Sequence, residues 1–142
     1  MEKTISTTRL LLVATEERKY APDELLEDCQ EIVEYEIFLK ESSISEEIGY
    51  VIVCVVKEQH SDNICLFHYI IKEDLRRKGY CYEAVSAILD SIPKGFTVFA
   101  DVRQSFLFTS EEDNASVGLL KKCGFNFIGM SSPGIAQYEK KL

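Results

Sequence analysis

A chain of 142 residues, 46% hydrophobic and 28% charged, has the length and balance of one soluble globular domain over residues 1–142, able to bury a core without cross-links. Its net charge of −8 excludes nucleic acid and anionic membrane as general partners, and no apolar run approaches the roughly 20 residues needed to cross a bilayer. The five cysteines, an odd count without C-x-x-C spacing, indicate neither a disulfide framework nor a zinc site, so no metal is expected and the thiols read as reduced and buried. The opening Met1-Glu2-Lys3-Thr4 lacks a signal-peptide pattern, which gives a cytoplasmic expectation.

Thr8-Arg9-Leu10-Leu11-Leu12-Val13 reads as a first strand. Pro22 and the acids after it then suit a helix start. Leu25, Leu26, Cys29, Ile32, Val33, Ile37 and Phe38 recur at three- and four-residue spacing, which predicts a helix with one apolar face. Its other face would carry Glu27, Asp28, Glu31, Glu34 and Glu36 as a solvated acidic surface. Residues 41–47 are polar and Ser-rich, a loop. Residues 48–56 are β-prone and apolar on both faces, a central strand. His60-Ser61-Asp62-Asn63 signals a turn, and residues 64–71 return as the second strand of an antiparallel hairpin.

The next stretch carries the chemistry. A strand ending at Ile71 runs into Lys72, Arg76, Arg77, Lys78 and Gly79, and then into helical spacing of Ala84, Val85, Ile88 and Leu89 within residues 82–89. A strand, a basic glycine turn and a helix start together aim free backbone N–H groups at an anion. A basic knot on an acidic chain suits a small specific anion; a solvated charged turn is the plainer reading of the charges by themselves. Residues 91–95 stop the helix. Residues 96–103 form a strand, expected parallel to the one before the loop. Residues 104–112 are a loop holding Phe106, Leu107 and Phe108. Asp113, Asn114 and Ser116 offer caps for a helix with Val117, Leu119, Leu120 and Cys123 on its apolar side, ended by Gly124. Residues 125–129 and 135–141 are strands flanking a turn over residues 131–134. The fold class is α/β, a mixed α+β arrangement with a central mixed sheet of about six strands and about three helices.

Two blocks in this order resemble the GNAT family of N-acetyltransferases. Arg76-Arg77-Lys78-Gly79-Tyr80-Cys81 is similar to the family loop [Q/R]-x-x-G-x-[G/A], and Tyr82-Glu83-Ala84 extends it. The run from Ser116 through Leu120, Lys121, Lys122, Gly124 and Phe125 is similar to S-x-x-x-L-E-K-x-G-F. Thr8-Arg9-Leu10-Leu11-Leu12 resembles the opening of the branch that includes ribosomal-protein N-terminal acetyltransferases. Three positions depart from the pattern: Cys81 replaces Gly or Ala, Asp113 stands where the family has Asn with Asn114 one place on, and Leu120 stands where many members carry a tyrosine acid.

The resemblance implies acetyl-CoA as co-substrate and a primary amine as acceptor, a protein N-terminus or a small amine. Backbone and side chains of Arg76, Arg77, Lys78, Gly79, Tyr80, Cys81 and Tyr82 would hold the pyrophosphate. Residues 68–71, with Ile70 and Ile71, would pair with the pantetheine arm, and Asn114 and Ser116 would contact the carrier or cap their helix. His68, on the strand beside the thioester, would be the general base, and Tyr138 the acid for the leaving thiolate. Packed or solvent-facing roles are the plainer alternatives for both. Nucleic acid and membrane are not expected partners, and a homodimer is compatible with this reading. A GNAT-fold acyl-CoA sensor without turnover is the competing function.

Overall fold

In the computed structural model, which describes residues 1–41, 46–56, 63–103 and 115–142, the long acidic helix expected after Pro22 is mostly a strand. The chain opens with strands β1 (Thr4–Ser6) and β2 (Leu10–Ala14) in an antiparallel pair. One short helical turn follows, α1 (Leu25–Asp28), and then β3 (Cys29–Leu39). The sequence supports both periods here, because Ile32, Val33, Ile37 and Phe38 fit a helical stripe while Val33, Tyr35, Ile37 and Leu39 alternate as a strand face. The strand wins because β-branched and aromatic residues lose side-chain freedom in a helix, and because β2 and β4 (Gly49–Val56) complete its ladders on both sides.

The acidic residues are redistributed accordingly. Glu34, expected on a solvated face, is 3% exposed. Its carboxylate accepts the backbone N–H groups of Lys19 (2.9 Å), Tyr20 (2.9 Å) and Ala21 (3.1 Å), pinning the segment before α1 onto the sheet. Glu36 accepts from the Tyr20 hydroxyl at 2.8 Å and from Lys19 Nζ at 3.3 Å.

Beyond β4 the sequence reading holds more closely. β4 and β5 (Asn63–Ile71) form the antiparallel hairpin. A 3-10 turn over Glu73–Leu75 leads to α2 (Tyr80–Ser91), two residues longer at each end than expected. β6 (Thr97–Arg103) is parallel to β5. Helix α3 (Ala115–Lys122) ends on Gly124 in the left-handed region, at φ 92°, where the Phe125 N–H reaches the Leu120 carbonyl at 2.9 Å. β7 (Asn126–Ser132) and β8 (Ile135–Lys141) close the chain as an antiparallel pair; Ser131 and Ser132, expected in the turn, finish β7 instead. Asn63, expected in a turn with residues 60–62, opens β5 instead; residues 60–62, the loop with Phe106, Leu107 and Phe108, and Asp113 and Asn114 lie outside the described residues.

Among the described residues the sheet has eight strands in the order β1-β2-β3-β4-β5-β6-β8-β7. The two beyond the expected six are β1 and β3. Alternation along β4 shows how its faces divide. Val51 and Val53 join the main core with Leu10, Leu12, Tyr35, Ile37 and the buried Ala84, Val85 and Ile88 of α2, while Ile52 and Cys54 join a smaller cluster with Ala21 and Cys29 on the opposite face.

Candidate active site

The anion-binding turn is built by backbone conformation first. Arg77 has φ 65° and Gly79, the residue before α2, has φ 80°, so two of three consecutive residues are left-handed. Alternation of this kind gathers successive N–H groups into a concavity for an anion. The first hydrogen bond of α2 runs from the Glu83 N–H to the Gly79 carbonyl at 3.0 Å. The N–H groups of Tyr80, Cys81 and Tyr82 therefore precede any intrahelical acceptor, and no side chain caps this end. Arg76 Nε donates to the Ile71 carbonyl at 2.7 Å, which ties the turn to the end of β5.

A cavity of about 590 Å³ opens beside this turn, between β5, α2 and α3. Its position follows from how β5 and β6 meet. They pair only through Asn63, Ile64 and Cys65 against Thr97, Val98 and Phe99. Beyond that point, among the described residues, β6 continues along β8 while residues 66–71 of β5 keep their ladder to β4 alone. The open edge of β5 is a template for an extended ligand to add as a strand. On its β4 side the register passes from Ile52–His68 to Val53–Leu66, so Phe67 is the extra residue of a bulge.

Of the residues expected to bind the carrier, Ile70, Ile71, Arg76, Arg77, Gly79, Tyr80, Cys81, Tyr82 and Ser116 all line this cavity. Lys78 is not among the lining residues, and its carbonyl is held by Arg9 Nη1 at 2.9 Å. Asn114 lies outside the described residues. Burial, with Cys123 nearby, pushes the Cys81 thiol up to about 12, so it is a protonated packing group and no nucleophile at neutral pH.

The two expected catalytic residues separate. His68 is exposed on the sheet face opposite α2, with its ring 5.7 Å from Tyr50, which stacks on Tyr20 at 4.0 Å. It sits one residue past the bulge, next to cavity-lining Tyr69. Tyr138 instead lies in the main core, 0% exposed, opposite Ala100 and Phe127 and with the Phe127 ring at 5.6 Å. It does not line the cavity; it faces inward on β8, flanked by strands on both sides.

Sequence reasoning missed Leu75, Ala115, Gly118, Leu119 and Lys122 in the lining, while Tyr69 falls in the 68–71 stretch expected along the pantetheine arm. Tyr69 is hydrogen-bonded to Ser116 across the cavity, and burial pushes its hydroxyl up to about 12. Lys122 Nζ sits 4.2 Å from the Tyr82 ring centroid, a cation–π contact joining α3 to α2. The four-residue repeat of Gly118 and Lys122 was the available signal for a second helix face turned to the cavity.

The comparisons with known proteins agree with this geometry. The family model described as acetyltransferase (GNAT) domain matches residues 12–126. Among solved structures, an acetyltransferase from Thermus thermophilus is similar with a TM-score of 0.64 and 17% identity, over 84% of this chain and 70% of that one. A GNAT family acetyltransferase from Elizabethkingia anophelis with acetyl-CoA bound is similar at 0.65 and 10% identity, over 96% of this chain and all of the other (100%). An N-acetyltransferase from Thermoplasma acidophilum in complex with coenzyme A is similar at 0.55 and 14% identity, over 78% and 61%. No curated protein matches the chain. At these identities the likeness is one of fold.

Proposed function

The chain belongs to the acetyltransferase (GNAT) family, and from that premise we propose that it moves an acetyl group from acetyl-CoA to a primary amine, a protein N-terminus or a small amine, by direct attack on the thioester. The observation that carries this is the pairing of the left-handed Arg77–Gly79 turn at the start of α2 with the open edge of β5 on one cavity. The turn and the free N–H groups of α2 suit a pyrophosphate. The edge of β5 at Ile70 and Ile71 suits the amide-rich arm that follows it. The N–H groups near the Phe67 bulge are the source for polarising the thioester carbonyl.

In the transfer, a bond forms between the amine nitrogen and the acetyl carbon as the carbon–sulfur bond breaks. The amine loses a proton and the thiolate gains one. An alkylamine with a pKa of about 10.4 must first be deprotonated, and His68, exposed on the open face, is the residue assigned as base, directly or through water. Calorimetry with acetyl-CoA tests the binding half, and absence of binding would sink it. Release of free thiol across a panel of amines tests the transfer half. No metal, nucleic acid or membrane enters the scheme.

One observation favours a second function. Leu120, at the position where many members carry a tyrosine acid, is 0% exposed and belongs to the core. An acyl-CoA sensor without turnover would bind acetyl-CoA in calorimetry and release no thiol with any amine.

A further inference from the structure

Arg9 reaches the co-substrate turn from the far side of the sequence. Its Nε donates to Glu83 Oε1 at 2.7 Å and its backbone N–H to Glu83 Oε2 at 3.0 Å. Its Nη1 donates to the Lys78 carbonyl at 2.9 Å, and the guanidinium carbon lies 4.4 Å from the Tyr80 ring centroid. The Thr7 hydroxyl donates to the same Glu83 oxygen at 2.5 Å, so the carboxylate is anchored by two residues of the turn before β2. Lys78 stands between the two left-handed residues, Arg77 and Gly79. A left-handed non-glycine residue persists only where its surroundings over-determine it. Arg9 holds the one carbonyl between the two and covers the first side chain of α2.

We infer that Arg9 is a positioning residue for acetyl-CoA: anchored by Glu83, it fixes the 77–79 turn in the conformation whose N–H groups face the pyrophosphate. The inference rests on the assignment of that turn to acetyl-CoA above. Its Nε and Nη1 are engaged by Glu83 and Lys78, which directs the guanidinium onto the turn, and the test below separates action through the turn from direct contact with the phosphates. A lysine cannot replace it, because a single ammonium group does not serve a carboxylate and a carbonyl in fixed directions at once.

The test uses the full chain and four variants: Arg9→Ala, Arg9→Lys, Glu83→Gln and the double Arg9→Ala/Glu83→Gln. Each single change is expected to weaken acetyl-CoA binding by about tenfold in calorimetry, with the double variant no weaker than the worse single one, since both break one device. KM for acetyl-CoA rises while kcat at saturation holds. In hydrogen exchange without ligand, the Glu83 amide, which closes the first turn of α2, loses protection while amides of its last turn keep theirs. Recovery of wild-type affinity in Arg9→Lys, or multiplication of the single effects in the double, overturns the inference by making Arg9 a direct phosphate ligand. Unchanged protection of the Glu83 amide in both Arg9→Lys and Glu83→Gln, which keep side-chain bulk, overturns it as well. Failure of the wild-type chain to bind acetyl-CoA overturns the function proposed above, and with it the ligand named here.

Discussion

Gly79 is where backbone freedom and ligand chemistry meet. At φ 80° an L-residue is strained, and a Cβ there would stand 3.3 Å from Arg9 Nη2. Gly79→Ala is expected to cost about 1 kcal/mol, read as a lowered urea midpoint, and to weaken acetyl-CoA binding more than that loss of stability explains. Cys81, two residues on, keeps its proton: iodoacetamide is expected to modify it slowly at pH 8 and fast only after unfolding, and prompt labelling of the native chain would contradict its half-buried, raised thiol. The turn was legible in the sequence because its basic residues, its glycine and its helix start are neighbours in the chain. Arg9 and Lys122 were not, since what places them at the turn or cavity is contact between segments far apart in sequence. The inward side of Tyr138 was not legible either: a strand tyrosine reads alike whether its face looks inward or outward.

At the level of elements, β3 teaches most. Its apolar residues satisfy two periods at once, and its β-branched and aromatic content only leans toward the strand. The decision comes from β2 and β4, which lie on either side. Glu34 then becomes a structural group, not a surface charge. Glu34→Ala leaves the Lys19, Tyr20 and Ala21 N–H groups without their acceptor and is expected to cost about 2–3 kcal/mol, measured by chemical denaturation. Limited proteolysis would cut first between residues 15 and 28, and an unchanged cleavage pattern would deny Glu34 the pinning role. The later elements were read correctly because each carries its own punctuation: Gly79 before α2, the 92–95 stop after it, Gly124 after α3.

For the whole molecule, the Arg9–Glu83 anchor predicts a pH dependence. Partial burial pushes the Glu83 carboxyl up, but hydrogen bonds from Thr7 and Arg9 and the Arg9 charge more than offset it and hold the group below the usual carboxylate range. Its stabilisation is therefore full above that range and is lost as pH falls through the depressed value. The Tm gap between wild type and Glu83→Gln is expected to stay constant near neutrality and close in acid; a gap that persists at the acid end would refute the anchor. Acetyl-CoA at 100 times its Kd should raise Tm by about 5–10 °C, following the roughly 2.7 kcal/mol of mass action at that ratio. The short ladder between β5 and β6 has a further consequence in mechanics and kinetics. Strands β1 to β5 form a sequential meander, while β6 to β8 form a separate trio, and among the described residues three residue pairs of the sheet stitch the two together. That seam is the line along which the sheet parts most readily under load. A ligand strand laid into it lengthens the stitching, so acetyl-CoA should slow unfolding more than it speeds refolding, and in a pulling experiment the force at which the two halves part should rise with its concentration.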